Sequence, residues 1–435
     1  MIARATALLE AIFGDAFRRD FAVRLWDGTT LPSTTGRTGF TLLVNTPGAL
    51  RSAFTPPLER NAGATFINGG LDVDGDLTLA IAQLNAANAS RTPLQKAHIA
   101  LLLARLPRDP RHAPPGAELH GRRHSRDRDR AAISYHYDHP VEFYRTFLDR
   151  DLVYSCAYYD DGISSIDAAQ QAKLGYVLDK LRLEPGMAFL DIGCGWGSLV
   201  IAAARRGANA LGITLSRVQY EEANRRITDL SLGDRARVEY RDYRDIEGLT
   251  FDRIASIGMV EHVGRVLLPT YFAAAMAALR PGGLFLNHGI AEQSPGRRTP
   301  PNPFIERYVF PDGDLVAVAD GLAIAERTGF EVRDVENLRE HYARTLRAWV
   351  TNIERNHDAA VAHAGEAAYR VWRLYMAASA VSFDNASIGV FQSLLARPDA
   401  RGAVPIPPTR RDLYSMPLAS RQNGVIDSAQ QQEVV

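Results

Sequence analysis

The sequence predicts an α/β protein: an open, largely parallel sheet wound with helices, preceded by a small α+β domain. Three observations carry this reading. Met187 to Ile192 is an apolar run that turns through Gly193, Gly195 and Gly197 into a helical stretch opening at Ser198. Such a turn brings backbone amides and a helix N-terminus against a ligand, and glycine is needed where a side chain would block the approach. Apolar strands then alternate with helical stretches as far as Leu395, the pattern of βαβ units. The first hundred residues instead show short strands followed by helices.

Taken in order, Ile2 to Phe17 has apolar residues at helical spacing and reads as a packed amphipathic helix, with membrane-surface contact as the lesser reading. Short strands follow from Phe21 to Leu84: Val23 to Trp26 ahead of the Asp27-Gly28 turn, then Phe40 to Val44. Asn68 to Asp76 is acidic and glycine-rich, but its spacing fails the twelve-residue calcium loop and no glutamate closes it. It reads as turns, and no metal site is expected. Leu77 to Leu106 is mostly helical, with Thr92-Pro93 opening a second helix, which closes an N-terminal α+β domain at 1–106.

Residues 107–131 hold four prolines and seven arginines. A solvated linker is the expectation; the functional alternative is a basic tether to anionic headgroups, diluted by four acids. Ile133 to Tyr159 is dense in aromatics, which suggests a lid over the cofactor and substrate, with simple aromatic packing for several of them. A catalytic domain is expected over 132–400, with strands at Met187–Ile192, Ala208–Thr214, Val238–Tyr240, Arg253–Ile257, Leu284–Ile290, Glu331–Val335 and Ile388–Leu395. Ser216 and Gln219 form a capping box for the helix to Asp229, and Pro281-Gly282-Gly283 ends the helix that begins near Leu267. The helical block Ala343 to Ser382 is longer than a crossover needs and reads as an insertion covering the substrate. Residues 401–435 form a tail.

Composition narrows the function. The 435 residues allow two or three domains. The 46% hydrophobic and 23% charged content permits large cores, and 50 basic residues against 50 acidic give no global argument for nucleic acid. Cys156 and Cys194 cannot make a disulfide framework, which fits a reducing cytoplasm. No apolar run has the length of a membrane span, and Met1 to Phe21 carries Asp15 and arginines where a secretory segment would be apolar. The expectation is a soluble protein that at most lies on a membrane.

Two cofactors compete for the glycine turn. The dinucleotide fingerprint wants glycine or alanine where Ser198 stands, and an acid after the second strand, which ends in Thr214. The spacing from Asp191 through Gly193 and Gly195, followed by an aromatic-glycine pair, is instead the usual signature of S-adenosylmethionine methyltransferases. Ligands of such sheets sit beyond the carboxyl ends of the strands. Asp242-Tyr243, Glu261-His262 and His288 fall there, with Tyr243 placed to pack on an adenine. A sulfonium is a cation, so aromatic faces and a carboxylate suit it.

Tyr154 to Tyr158, Leu190 to Gly197, Gly212 to Ser216, Asp242 to Asp245, Gly258 to Gly264 and His341-Tyr342 together resemble the cyclopropane-fatty-acyl-phospholipid and mycolic acid cyclopropane synthases. Phe310-Pro311 and Tyr135 to Asp138 add to the likeness, which is strong over Ala132 to Arg397; Leu25 to Gly28 and Gly75-Asp76 resemble the N-terminal domain of full-length bacterial synthases. The resemblance implies a Rossmann-like class I methyltransferase sheet and methylene transfer from S-adenosylmethionine to a cis double bond of an unsaturated phospholipid. In that family the carbocation loses its proton to bound bicarbonate. Carried over by motif, bicarbonate would be held by Cys156, Glu261, His288, the backbone of Ile290, and Tyr342. Cofactor contacts would come from Tyr154, Ser155, Asp191, Gly193, Cys194, Gly195, Thr214, Leu215, Gln219, Asp242 and Tyr243. A homodimer, peripheral at the inner membrane face, is also implied.

The chain departs from the family at Asn287-His288-Gly289-Ile290, at His139-Pro140-Val141, and at Ser379, where relatives often carry cysteine. Methyl transfer to an alkene needs no covalent enzyme intermediate, so the last change leaves the chemistry intact. A lipid C-methyltransferase is the nearest alternative, a lipid-binding protein with a decayed cofactor site the next, and an oxidoreductase the outsider. Retention of Glu261 and His288 favours the ring.

Overall fold

The computed structural model describes residues 1–13, 19–89, 92–292 and 302–414. The expected extension of the first helix to Phe17 and the tail beyond 414 lie outside the described residues. In chain order the elements are α1 (Ile2–Phe13), β1 (Phe21–Arg24), β2 (Thr30–Leu31), β3 (Phe40–Val44), α2 (Ala49–Phe54), α3 (Leu58–Ile67), β4 (Leu71–Gly75), α4 (Leu77–Ala89) and α5 (Pro93–Ala104). There follow α6 (Arg126–Tyr137), α7 (Val141–Arg145), α8 (Ile166–Lys180), β5 (Ala188–Ile192), α9 (Ser198–Arg205), β6 (Asn209–Thr214), α10 (Arg217–Asp229), β7 (Ala236–Tyr240) and β8 (Phe251–Ile257). The rest are α11 (Val260–Val263), α12 (Leu268–Ala278), β9 (Leu279–Glu292), α13 (Pro303–Tyr308), α14 (Val318–Arg327), β10 (Glu331–Asn337), α15 (Arg339–Arg355), α16 (His357–Asp384), β11 (Ile388–Ala396) and α17 (Arg411–Tyr414).

The chain forms two compact units. The first joins Met1–Glu118 to Pro300–Pro311 and Trp349–Ser382; the second joins Leu119–Thr299 to Asp312–Ala348 and Phe383–Val435. This division differs from the expected 1–106 and 132–400. Most of the helical block read as a substrate cover belongs with the N-terminal segment, and ion pairs join the two. Arg370 and Arg373 on α16 both pair with Asp72 on β4, at 2.8 and 3.1 Å, and Arg373 also holds Glu354 at 2.7 Å. In the first unit the sheet order is β2-β1-β3-β4. Ala49 to Ile67, expected within a run of strands, forms α2 and α3, and Asn68 to Asp76 supplies β4 rather than turns alone. Thr92 caps α5 with a reciprocal capping box to Gln95.

Residues 107–131 are largely exposed, as a solvated linker would be, but are pinned at several points. Asp109 is 8% exposed and accepts from Thr46 Oγ1 at 2.7 Å, while Arg128 chelates Asp312 and Arg126 pairs with Asp245. Arg126 and Arg130 stay half-exposed while paired with Asp245 and Asp127, so part of the segment's positive charge is matched rather than free.

The second unit carries a seven-stranded sheet ordered β10-β11-β9-β8-β5-β6-β7. Neighbours from β9 to β7 run parallel, whereas β11 is antiparallel to both β9 and β10. All seven expected strands form. Strand order reverses at β5, so the crevice beyond its carboxyl end is where such a sheet takes a ligand. Ser216 caps α10, but Gln219 turns its side chain to Thr214 Oγ1 at 2.9 Å instead of completing the box. Helix α12 stops at Ala278, before Pro281.

Gly212 lets the loop close on the sheet. A Cβ there would stand 2.7 Å from Cys194 Sγ and 2.8 Å from Val200 Cγ2, inside the apolar layer under α9. Gly212→Ala is expected to cost about 1–3 kcal/mol through overpacking. Chemical denaturation followed by circular dichroism checks it, and an unchanged midpoint would contradict this packing.

Candidate active site

The glycine turn uses its amides differently from the sequence expectation. Gly193 and Cys194 both donate to Ile213 O at 3.0 Å, and Gly197 donates to Cys194 O, so these three tie the turn together. Gly197, at φ +79°, caps α9 and would set a Cβ 3.1 Å from Ala223; its role is packing. Gly195, at φ +55°, is the one facing open space.

A cavity opens over this turn. Its lining takes Tyr154, Ser155, Asp191, Gly193, Cys194, Gly195, Thr214, Leu215, Gln219 and Tyr243, ten of the eleven expected cofactor residues. Asp242 is absent from it. Its carboxylate is spent on Arg244, accepting from that residue's amide at 2.9 Å and from its guanidinium. The aromatic segment before α8 contributes Tyr137 and Tyr154 to the cavity, whereas Phe143, Tyr144 and Phe147 are fully buried. His262 also lines the cavity, 3.2 Å from Tyr137 Oη, and burial pulls its pKa down to about 4.

Sequence reasoning missed Lys173. It is 2% exposed, lines the cavity, and donates to Ser155 Oγ at 2.9 Å. Burial pulls its pKa down to about 8 while Asp149, Cys156 and Asp191 act to raise it. Asp191 is pushed up to about 7 by burial, against the pull of Lys173, and its Oδ1 is buried with no partner among the described residues. The signal was available in α8: Lys173 and Lys180 stand seven apart on a face shared with Ala169 and Val177.

The five residues expected to act on the reaction come from four segments. Glu261 Oε1 accepts the Ile290 amide at 2.7 Å, and His288 lies two residues back on the same face of β9. The Gly258 amide bonds His288 O at 2.8 Å, which joins the turn after β8 to this strand. Cys156 Sγ lies 3.7 Å from Leu338 O, the carbonyl that also takes the Tyr342 amide. Tyr342 packs on Phe383 with ring centroids 4.7 Å apart. Cys156 and His288 both fall within the field of Lys173.

Their electrostatics exclude some chemistries. Burial pushes the Cys156 thiol well above its usual range, so it is no thiolate nucleophile. Burial, aided by the Lys173 and Lys180 ammoniums, holds His288 far below the usual imidazole value, so it is neutral. Glu261 is pushed up to about 7 by burial, opposed by the Ile290 amide. Glu261 Oε2 and His288 Nε2 are buried without a partner among the described residues. Polar atoms so placed await a small ligand with both donors and acceptors.

This sheet order, with a glycine turn and an aromatic-walled cavity at the point of reversal, defines a class I S-adenosylmethionine-dependent methyltransferase. A family model described as mycolic acid cyclopropane synthetase matches residues 124–393, and the chain belongs to that family. A probable fatty acid methyltransferase of Pseudomonas putida is 38% identical over 400 residues, covering 90% of this chain and 95% of that protein. The cyclopropane-fatty-acyl-phospholipid synthase of Escherichia coli is 35% identical over 263 residues, 60% of this chain and 66% of that one. Among solved structures, mycolic acid cyclopropane synthase CmaA1 complexed with SAH and CTAB superposes with a TM-score of 0.58 at 32% identity, covering 61% of this chain and 98% of that chain. The protein is therefore an enzyme, a methyltransferase of the cyclopropane synthase family that acts on lipids. Among the described residues no helix is long and apolar enough to cross a membrane.

The raised Glu261 value makes a stability prediction. Its folded pKa lies above the unfolded one, so its contribution is fully present below about pH 4.5 and is lost as pH rises through about 7. Glu261→Gln removes that loss, on the order of 3 kcal/mol, and its carbonyl still accepts the Ile290 amide. The ligand-free variant should gain melting temperature over wild type at pH 8 and gain little at pH 4.5; an equal shift at both would contradict the burial.

Proposed function

We propose that the enzyme transfers a methylene group to the cis double bond of an unsaturated phospholipid acyl chain, forming a cyclopropane, with bicarbonate as the base. The observation that carries this reading is the pair of unpartnered buried atoms, Glu261 Oε2 and His288 Nε2; Glu261 stands between Met259 and His262 of the cofactor cavity and itself lines a second cavity with Ile290. Bound S-adenosylmethionine would supply an electrophilic methyl group. Asp191 and Ser155 would hold its amino-acid end, Tyr243 its adenine, and Tyr137 and Tyr154 would face the cationic sulfur. Bicarbonate would supply the base, for which Cys156, Glu261, His288, the Ile290 backbone and Tyr342 are the holding set.

The residues divide the work. As the new carbon–carbon bond forms, positive charge appears on the neighbouring alkene carbon. The aromatic wall excludes water that would quench it. The transferred methyl then loses a proton, and its electron pair closes the ring onto the cationic carbon. Glu261, titrating near 7, is suited to accept a hydrogen bond from the base while it holds its own proton. Neutral His288 adds no positive charge to repel the cation. Contact with the lipid would be peripheral, at the inner face of a membrane.

A second reading is favoured by the name of the Pseudomonas putida relative: a fatty acid C-methyltransferase. It differs only in which proton leaves, since loss from a chain carbon gives a branched chain. Mass spectrometry of lipids from a host expressing the enzyme separates the two. A CH2 gain that survives hydrogenation is expected, and hydrogen uptake by the product would establish branching. Glu261→Gln should retain cofactor binding and lose most product, by about a hundredfold or more; full activity would remove the base site.

Tyr243 has a buried hydroxyl with no partner among the described residues and an edge-on contact to Tyr271 at 5.6 Å. Tyr243→Ala should weaken S-adenosylhomocysteine binding by about tenfold, the worth of one aromatic contact. Calorimetry checks it; unchanged affinity would place the adenine elsewhere.

A further inference from the structure

We propose that Lys180 and Gln392 fix His288 as the Nε2–H tautomer, so that the histidine presents a hydrogen-bond donor to the ligand of this site. Lys180 Nζ lies 2.9 Å from Gln392 Oε1. An ammonium only donates, so that oxygen accepts and the orientation of the amide is set. The other end, Gln392 Nε2, lies 3.3 Å from His288 Nδ1. An amide NH2 also only donates, so Nδ1 must accept. A neutral imidazole has one N–H, and it is left on Nε2.

Each link is held in place. Gln392 stands opposite His288 in the antiparallel β9–β11 register, which puts both side chains on one face of the sheet. Gln392 is 1% exposed and His288 2% exposed. Lys180, 1% exposed, pairs with Glu336, lies 4.0 Å from Asp334 and sits 4.6 Å from the Tyr176 ring centre. Nε2 itself is buried and meets no acceptor among the described residues. A buried N–H without an acceptor is costly, so this donor points to a ligand oxygen. Lys180 and Gln392 are positioning residues, acting through His288. That the ligand is a bicarbonate-like oxyanion rests on the proposed function; the tautomer does not.

Nitrogen-15 NMR of the full enzyme with labelled histidine reads the tautomer directly, the His288 signal being assigned by difference from His288→Gln. Wild type should show the neutral Nε2–H form, and an Nδ1–H or imidazolium signature would overturn the proposal. Gln392→Glu replaces the donor with an acceptor and should switch His288 to Nδ1–H, with product formation falling by about tenfold or more, the scale of an orienting partner's loss. Retention of the Nε2–H signal in that variant would also overturn it. If wild type gives the Nε2–H form while removing bicarbonate leaves product formation unchanged, the relay stands and the proposed base fails.

Discussion

The hydrogen bond from the Ile290 amide to Glu261 Oε1 is the contact on which the site depends. It fastens the short helix after β8 to the far end of β9, two segments that enter the crevice from different βα units. Without it, the glutamate would have no reason to remain in a place that penalises its charge. With it, one carboxylate oxygen is committed to the backbone and the other is left for chemistry. The Gly258 amide on His288 O repeats the fastening one strand residue to the other side.

Desolvation then sets the character of every titratable group nearby. The same burial raises Glu261 and Asp191 and lowers Lys173, Lys180 and His288. Glu261, Asp191 and Lys173 are thereby brought near neutrality from both directions, and His288 is held uncharged, which is what low dielectric does to acids and bases alike.

Much of this was legible in the sequence. Seven strands, the glycine turn and its cavity follow from period, glycine placement and Rossmann-type topology; of the ten cofactor residues in the lining, most sit at strand ends, while Tyr154 and Ser155 come from the segment before α8 and Gln219 from α10. What was not legible depended on partners distant in sequence. Asp242 reads as a ligand residue until Arg244 and Asp129 are seen around it. Arginines at 123, 126 and 128 read as a solvated run until Asp312 and Asp245 meet them. Gln392, inside an apolar strand, gave no sign of the histidine across the ladder, because the two stand 104 residues apart in the chain. The glycine amides were misassigned because Ile213 O competes for them.

The order in which the chain builds its two units has a consequence for how the molecule can be made and cut. The chain leaves the second unit after Ala348, completes the first with Trp349–Ser382, and returns to lay down β11. Asp72 waits, during synthesis, for arginines that emerge some three hundred residues later. Deleting residues 1–118 would strand Arg370 and Arg373 without their carboxylate. The first unit is thus complete only after most of the second has been made.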